Sequence, residues 1–244
     1  MMLVLALGLA ITLAACSNDS NSASDSENDK NTADKKSDET AQPAQPAQVD
    51  ISDKEKVDND KVVSQINGKD IKGEQYNASY SQTKMLMSQN GQDLSDVEKI
   101  KEQTLNVITE QVLIKQDAEE QGIKVADKEV EAQLEKIKSE KPDQYKQVLK
   151  QFQLTEDAYK NQLTFELTLQ KYMDQEIEVA EASDKEVQTY YDKLKEQGQD
   201  GQKIPELAAV KDQIKTAIVQ QKQQVALSKK LETLKKDAEI KKMI

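Results

Sequence analysis

The chain has no histidine, no arginine and no tryptophan, and only one cysteine. Each absence removes a class of chemistry. Without an imidazole, no Ser–His or Cys–His nucleophilic pair can be built. With Cys16 alone there is no intrachain disulfide. A Cys/His zinc site needs three or four such ligands, so none is expected. All 34 basic residues are lysines, set against 45 acidic ones, for a net charge of −11. Phosphate repels such a chain, which also lacks the arginine fork that grips phosphate and guanine, so nucleic acid is not an expected partner. The seven glycines form neither a phosphate loop nor a dinucleotide fingerprint, and no cofactor is expected. No EF-hand spacing occurs; an oxygen-only calcium site stays open, but no metal ligand is assigned. Carboxylate pairs such as Glu119/Glu120 and Glu129/Glu131 read as solvated helix faces. These absences point away from an enzyme and toward a binding module.

Apolar residues make up 36% of the chain and charged residues 32%. That is little apolar content for one compact globule, so part of the chain is expected to be disordered or the fold elongated. The amino terminus supplies one reason. Residues 1–15, MMLVLALGLAITLAA, are an unbroken apolar run, too short to span a bilayer comfortably and ending in small residues. They read as a lipoprotein signal peptide. Leu13-Ala14-Ala15-Cys16 resembles the bacterial lipobox, whose cysteine is acylated and becomes the first residue of the mature protein. The n-region departs from the pattern in having no lysine. Residues 16–60 then form a low-complexity tether of Ser, Asn, Asp, Lys, Ala and Gln, too polar to offset the entropy of ordering. As a coil it spans roughly 35–40 Å, enough to hold a domain off a membrane.

The folded part is expected over 61–244. Residues 62–71, VVSQINGKDI, read as two short strands around an Asn67-Gly68 turn. Helical patterns follow over 74–88, 95–121, up to 141, and 144–152. Ser95…Glu98 reads as a capping box opening the second of these. That helix is apolar around nearly its whole circumference (Leu105, Val107, Ile108, Val112, Leu113, Ile114), as the buried centre of a domain would be. Leu163, Phe165, Leu167 and Leu169 alternate like a strand, but glutamine- and lysine-rich flanks favour helix. IKVADKEV at 123–130 is echoed by IEVAEASDKEV at 177–187: each joins a β-like I-x-V to a helix start, and the second carries a capping box, Ser183…Glu186. A helix over 185–197, a loop, and a long helix over 205–238 complete the chain. The polar stretch 220–224 interrupts the long helix's apolar pattern, which argues against a continuous coiled coil. The last residues, DAEIKKMI, again allow a strand.

VVSQINGKDIKGEQYN, then ITEQVLIKQDAEEQGIKVADKEVEAQLEKIK, then FQLTEDAYKNQLTFELTLQKYMDQEIEVAEASDKEV through TYYDK resemble, in order and spacing, the N-terminal chaperone domain of the SurA/PrsA family of extracytoplasmic foldases. With the lipobox and tether, the chain is similar to the PrsA-type lipoproteins of Gram-positive bacteria. The resemblance covers 61–192, and 205–244 resembles the family's C-terminal helix and closing strand. It implies a mainly α SurA-N-like domain with a small β-sheet, in which 239–244 pair with the 62–66 strand. In the foldases a parvulin isomerase module of roughly a hundred residues lies between the last two helices. Here a short loop, 193–204, fills that place, and the histidines of a parvulin site are absent.

The function implied is a membrane-anchored chaperone, without isomerase activity, for unfolded or partly folded secreted proteins at the outer face of the cell membrane. Lipidation falls on Cys16. Tyr76, Tyr80, Met85, Met87, Phe152 and Phe165 are the candidate client-binding residues, as adaptable apolar side chains inside a helical cradle. The alternative is a helical scaffold or adaptor lipoprotein that binds one folded partner, or self-associates as a homodimer through the long helix.

Overall fold

A computed structural model describes residues 50–197 and 204–244. The expected signal peptide, Cys16 and the expected tether as far as 49 lie outside the described residues, as do 198–203. The described chain folds as two short strands, seven helices and a closing strand: β1 Val62–Ile66, β2 Lys69–Lys72, α1 Gly73–Gln89, α2 Val97–Glu120, α3 Asp127–Glu140, α4 Pro142–Phe152, α5 Glu156–Glu176, α6 Asp184–Gln197, α7 Leu207–Asp237 and β3 Ile240–Lys242.

The sheet has the order β2-β1-β3, antiparallel throughout. Asn67 and Gly68 both take positive φ, 48° and 77°, as a tight hairpin turn with right-handed strand twist requires. Asn67 also ties the sheet together. Its N–H donates to the Glu239 carbonyl at 2.9 Å, and its side chain accepts from the Glu239 N–H at 2.8 Å and donates to Gln116 on α2. β3 pairs Ile240 with Ile66 and Lys242 with Ser64, so the C-terminal strand closes the sheet as the resemblance implies.

α2 runs through the middle of the domain. Ile100, Leu105, Ile108, Val112 and Leu113 join the hairpin and α1 in one core cluster. One turn later Ile114 and Ala118 meet Tyr172 of α5 in a second. At that level the buried Asp117 accepts a hydrogen bond from the Tyr172 hydroxyl and an ion pair from Lys230 of α7 at 3.1 Å. One carboxylate therefore joins three helices. Ile123 and Ile177, the first residues of the two I-x-V echoes, both lie in the second cluster. Neither echo forms a strand: each is an irregular link that drops an isoleucine into the core before a helix begins.

Two further expectations are corrected. The cap of α2 is Asp96, whose side chain accepts from the Lys99 N–H; Ser95 instead donates to Asp93. Residues 50–60, expected as tether, instead pack on the domain as a strap. In that strap Ile51 and Val57 rest on the first core cluster. Its carbonyls also do the work of a helix cap. Lys72 places no side-chain cap on α1, and the first two N–H groups of the helix donate to the carbonyls of Lys61 (2.8 Å) and Asn59 (3.0 Å).

Candidate functional site

Four of the six expected client-binding residues are interior. Tyr76, Tyr80, Met85 and Met87 on α1 are 1–2% exposed, so in this fold they lie in the core. The i, i+4 tyrosine pair has ring centroids 5.7 Å apart. The strap covers it. Glu55 accepts from the Tyr80 hydroxyl at 2.8 Å and from Lys84 Nζ at 2.5 Å. Burial raises the Glu55 pKa, but the hydrogen bonds from Lys84, Tyr80 and Ser52 outweigh it and bring the group from 4.5 to about 2. Phe152 and Phe165 are half-buried. Phe165 packs on the second cluster beneath the Lys115 ammonium, 5.7 Å from its ring centroid.

A depressed carboxylate pKa stabilises the fold above its unfolded value and loses that contribution as pH falls through its folded value. The strap is therefore expected to weaken progressively between pH 4.5 and about 2. Glu55→Gln removes the only carboxylate paired with the buried Lys84 ammonium among the described residues, and should cost about 2 kcal/mol at neutral pH. It should also remove the Glu55 part of the acid limb. Thermal melts of the full chain from neutral to acid pH check both, and an unchanged acid limb in the variant contradicts the assignment.

An accessible apolar surface lies elsewhere, between α6 and α7. The two helices form an antiparallel pair with its own small core of Ala182, Val187, Tyr191, Ile214 and Ile218. Several features fix it. Ser183 and Glu186 cap α6 reciprocally. The Tyr191 hydroxyl donates to the Pro205 carbonyl at 2.9 Å across the connection. Lys222 of α7 reaches the Ala180 and Glu181 carbonyls and the Glu186 carboxylate, which stays ionised down to about pH 2 because Lys222 and Ser183 donate to it. Lys211 pairs with Asp184 at 2.9 Å.

Beside this core runs a groove of about 540 Å³. Its floor is Ile218, Val225, Ala226 and the Tyr190 ring, and its rim carries Lys185, Lys193, Lys222 and Lys229. Val225 is 54% exposed, the most exposed of the large apolar residues among the described residues. Sequence reasoning missed this groove because residues 220–224 read as a polar break. The break is where α7 passes from the α6 core to the second cluster, on which Leu227, Leu231 and Leu234 pack. The signal was nonetheless present: Ile218, Lys222, Val225 and Lys229 step by four, three and four along one face of α7. Among the described residues no three carboxylates or cysteines converge to hold a metal ion, and no helix is long and apolar enough to cross a membrane.

A family model for the SurA-like N-terminal domain matches residues 48–173, just over half of the chain, and the chain belongs to that chaperone-like family. The match begins with the strap and ends in α5, and no parvulin module is matched. No curated protein matches the chain.

Proposed function

We propose that the protein is a membrane-anchored extracytoplasmic chaperone that holds unfolded secreted polypeptides without isomerising prolines. Lipidation of Cys16 tethers it to the outer face of the cell membrane, and the acidic low-complexity segment spaces the domain from the lipid. The observation that carries the reading is the open α6–α7 groove, with Val225 exposed at its floor, in a member of the SurA-like N-terminal domain family. Exposed aliphatic surface of this kind binds extended chains weakly and reversibly, which suits a holdase. A chain held there is released by dilution or by its own folding, with no need for a catalytic step.

The test is suppression of aggregation of a chemically unfolded secreted protein, followed by light scattering. The full chain is expected to suppress scattering at stoichiometric excess. Val225→Asp, placed at an exposed position, should lose most of that effect while melting like the wild type. No suppression by the wild type at excess contradicts the reading. A clear acceleration of proline-peptide isomerisation would contradict the part that excludes catalysis.

A further inference from the structure

The groove is charged as well as apolar, and its charge is opposite to that of the chain. Of its lining residues four are lysines and one is a carboxylate, Glu186. That carboxylate is already held by Lys222 at 2.9 Å. The ammonium groups of Lys185, Lys193 and Lys229 have no carboxylate partner among the described residues. α7 shows the same bias. It carries Lys211, Lys215, Lys222, Lys229, Lys230, Lys235 and Lys236 against Asp212, Glu232 and Asp237, a net of +4 in a chain of net −11. Four of those seven lysines are paired with carboxylates of other helices: Lys211, Lys222, Lys230 and Lys235. Lys229, together with the α6 lysines at the rim, faces the groove instead. An acidic protein that concentrates unpaired cations around an exposed aliphatic floor has the field to select among clients by charge.

We propose that the α6–α7 groove takes unfolded segments in which aliphatic residues are flanked by aspartate or glutamate. This rests on the holdase reading and names the substrate class of its site. Aliphatic side chains of the client lie against Ile218, Val225 and Ala226. Its carboxylates meet the ammonium groups of Lys185, Lys193 and Lys229. Segments flanked by lysine meet the same cations and are turned away, so the rim acts by repulsion as much as by attraction.

The test uses the full chain and two short, unstructured, fluorescently labelled peptides. They share the same leucine and valine residues, one with glutamate flanks and the other with lysine flanks. Binding is read by anisotropy. The glutamate peptide is expected to bind about tenfold more tightly at low salt, as three exposed charge contacts permit. The preference should collapse at about 1 M salt, where the screening length is about 3 Å. The triple variant Lys185→Glu/Lys193→Glu/Lys229→Glu alters exposed side chains only, so its circular dichroism and melt should match the wild type, and it should reverse the preference. Equal binding of the two peptides, or a preference the triple variant leaves untouched, overturns the proposal. Vesicles with an anionic lipid surface form a further arm. If they displace the glutamate peptide and bind through the same three lysines, the rim is a membrane contact and the proposal fails. The two levels separate cleanly. Aggregation suppressed without a charge preference removes this inference alone, whereas no suppression of any unfolded client removes the holdase reading with it.

Discussion

Gly73→Ala is expected to destabilise the full chain by about 4 kcal/mol, at the upper end for a single methyl group. A Cβ built at Gly73 falls 1.9 Å from the Asp58 carbonyl oxygen, 2.8 Å from its carbon and 2.9 Å from a Val57 methyl. The obstacle at 1.9 Å is backbone and cannot swing away as a side chain would. The strap has to leave α1. With it go the Asn59 cap on the Glu74 N–H, the packing of Ile51 and Val57, and the bonds between Asn77 and the Val57 backbone. Gly68 gives the contrast. It sits at a positive φ of 77° with open space around its Cβ direction, so Gly68→Ala costs only conformational strain, about 1 kcal/mol. A double-mutant cycle makes the mechanism visible. Once Gly73→Ala has displaced the strap, Glu55→Gln should add almost nothing, although it is costly in the wild type. Additive losses, or a Gly73→Ala melt like that of the wild type, would show that the strap does not lie where the structure places it.

Deleting residues 239–244 is expected to cost a similar amount, about 4 kcal/mol, lowering the melting temperature by roughly 10 °C for a domain of this size. About half comes from Ile240 and Ile244, partly buried residues packed against the first cluster. The rest comes from the sheet. β1 is the central strand, with Val63 and Ile66 fully buried. Without β3 it becomes an edge, and the Val63 carbonyl loses the Met243 N–H at 3.0 Å. The Asn67 N–H loses the Glu239 carbonyl, and the Ser64 hydroxyl loses the Lys241 carbonyl. An exposed edge beside a buried apolar strand invites pairing between chains. The truncated protein should therefore also become prone to aggregation on mild heating. A melt unchanged by the deletion would contradict the closing role of β3.

Much of the fold was legible in the sequence, for identifiable reasons. The Asn67-Gly68 turn, the all-round apolar character of α2, the Ser183…Glu186 cap and the helical reading of the alternating run from Leu163 to Leu169 are local signals, and each appears in the structure. The pairing of β3 with β1 is not local. It came from the resemblance, since three residues of strand carry little pattern of their own. The strap was missed because its composition continues that of the tether. Only Ile51 and Val57 are apolar, and the contacts of Glu55 with Tyr80 and Lys84 lie more than 20 residues away along the chain. The burial of the α1 side chains was hidden for a related reason. Periodicity shows that Tyr76 and Tyr80 share a helix face, but not whether another segment lies on that face. Gly73 is a signal of the same kind. Its value lies in what passes beside it, and a lone sequence does not reveal that.

On the proposed function, clients are held in the α6–α7 groove and not in the interior beneath the strap. Hydrogen–deuterium exchange of the full chain, with and without a saturating unfolded secreted protein, tests that placement. Client-dependent protection is expected in α6 and in the stretch of α7 around Ile218–Lys229, with no change in α1 from Tyr76 to Met87. Protection or loosening confined to the strap and α1, with α6 and α7 unaffected, would show that clients enter by lifting the strap and would contradict it.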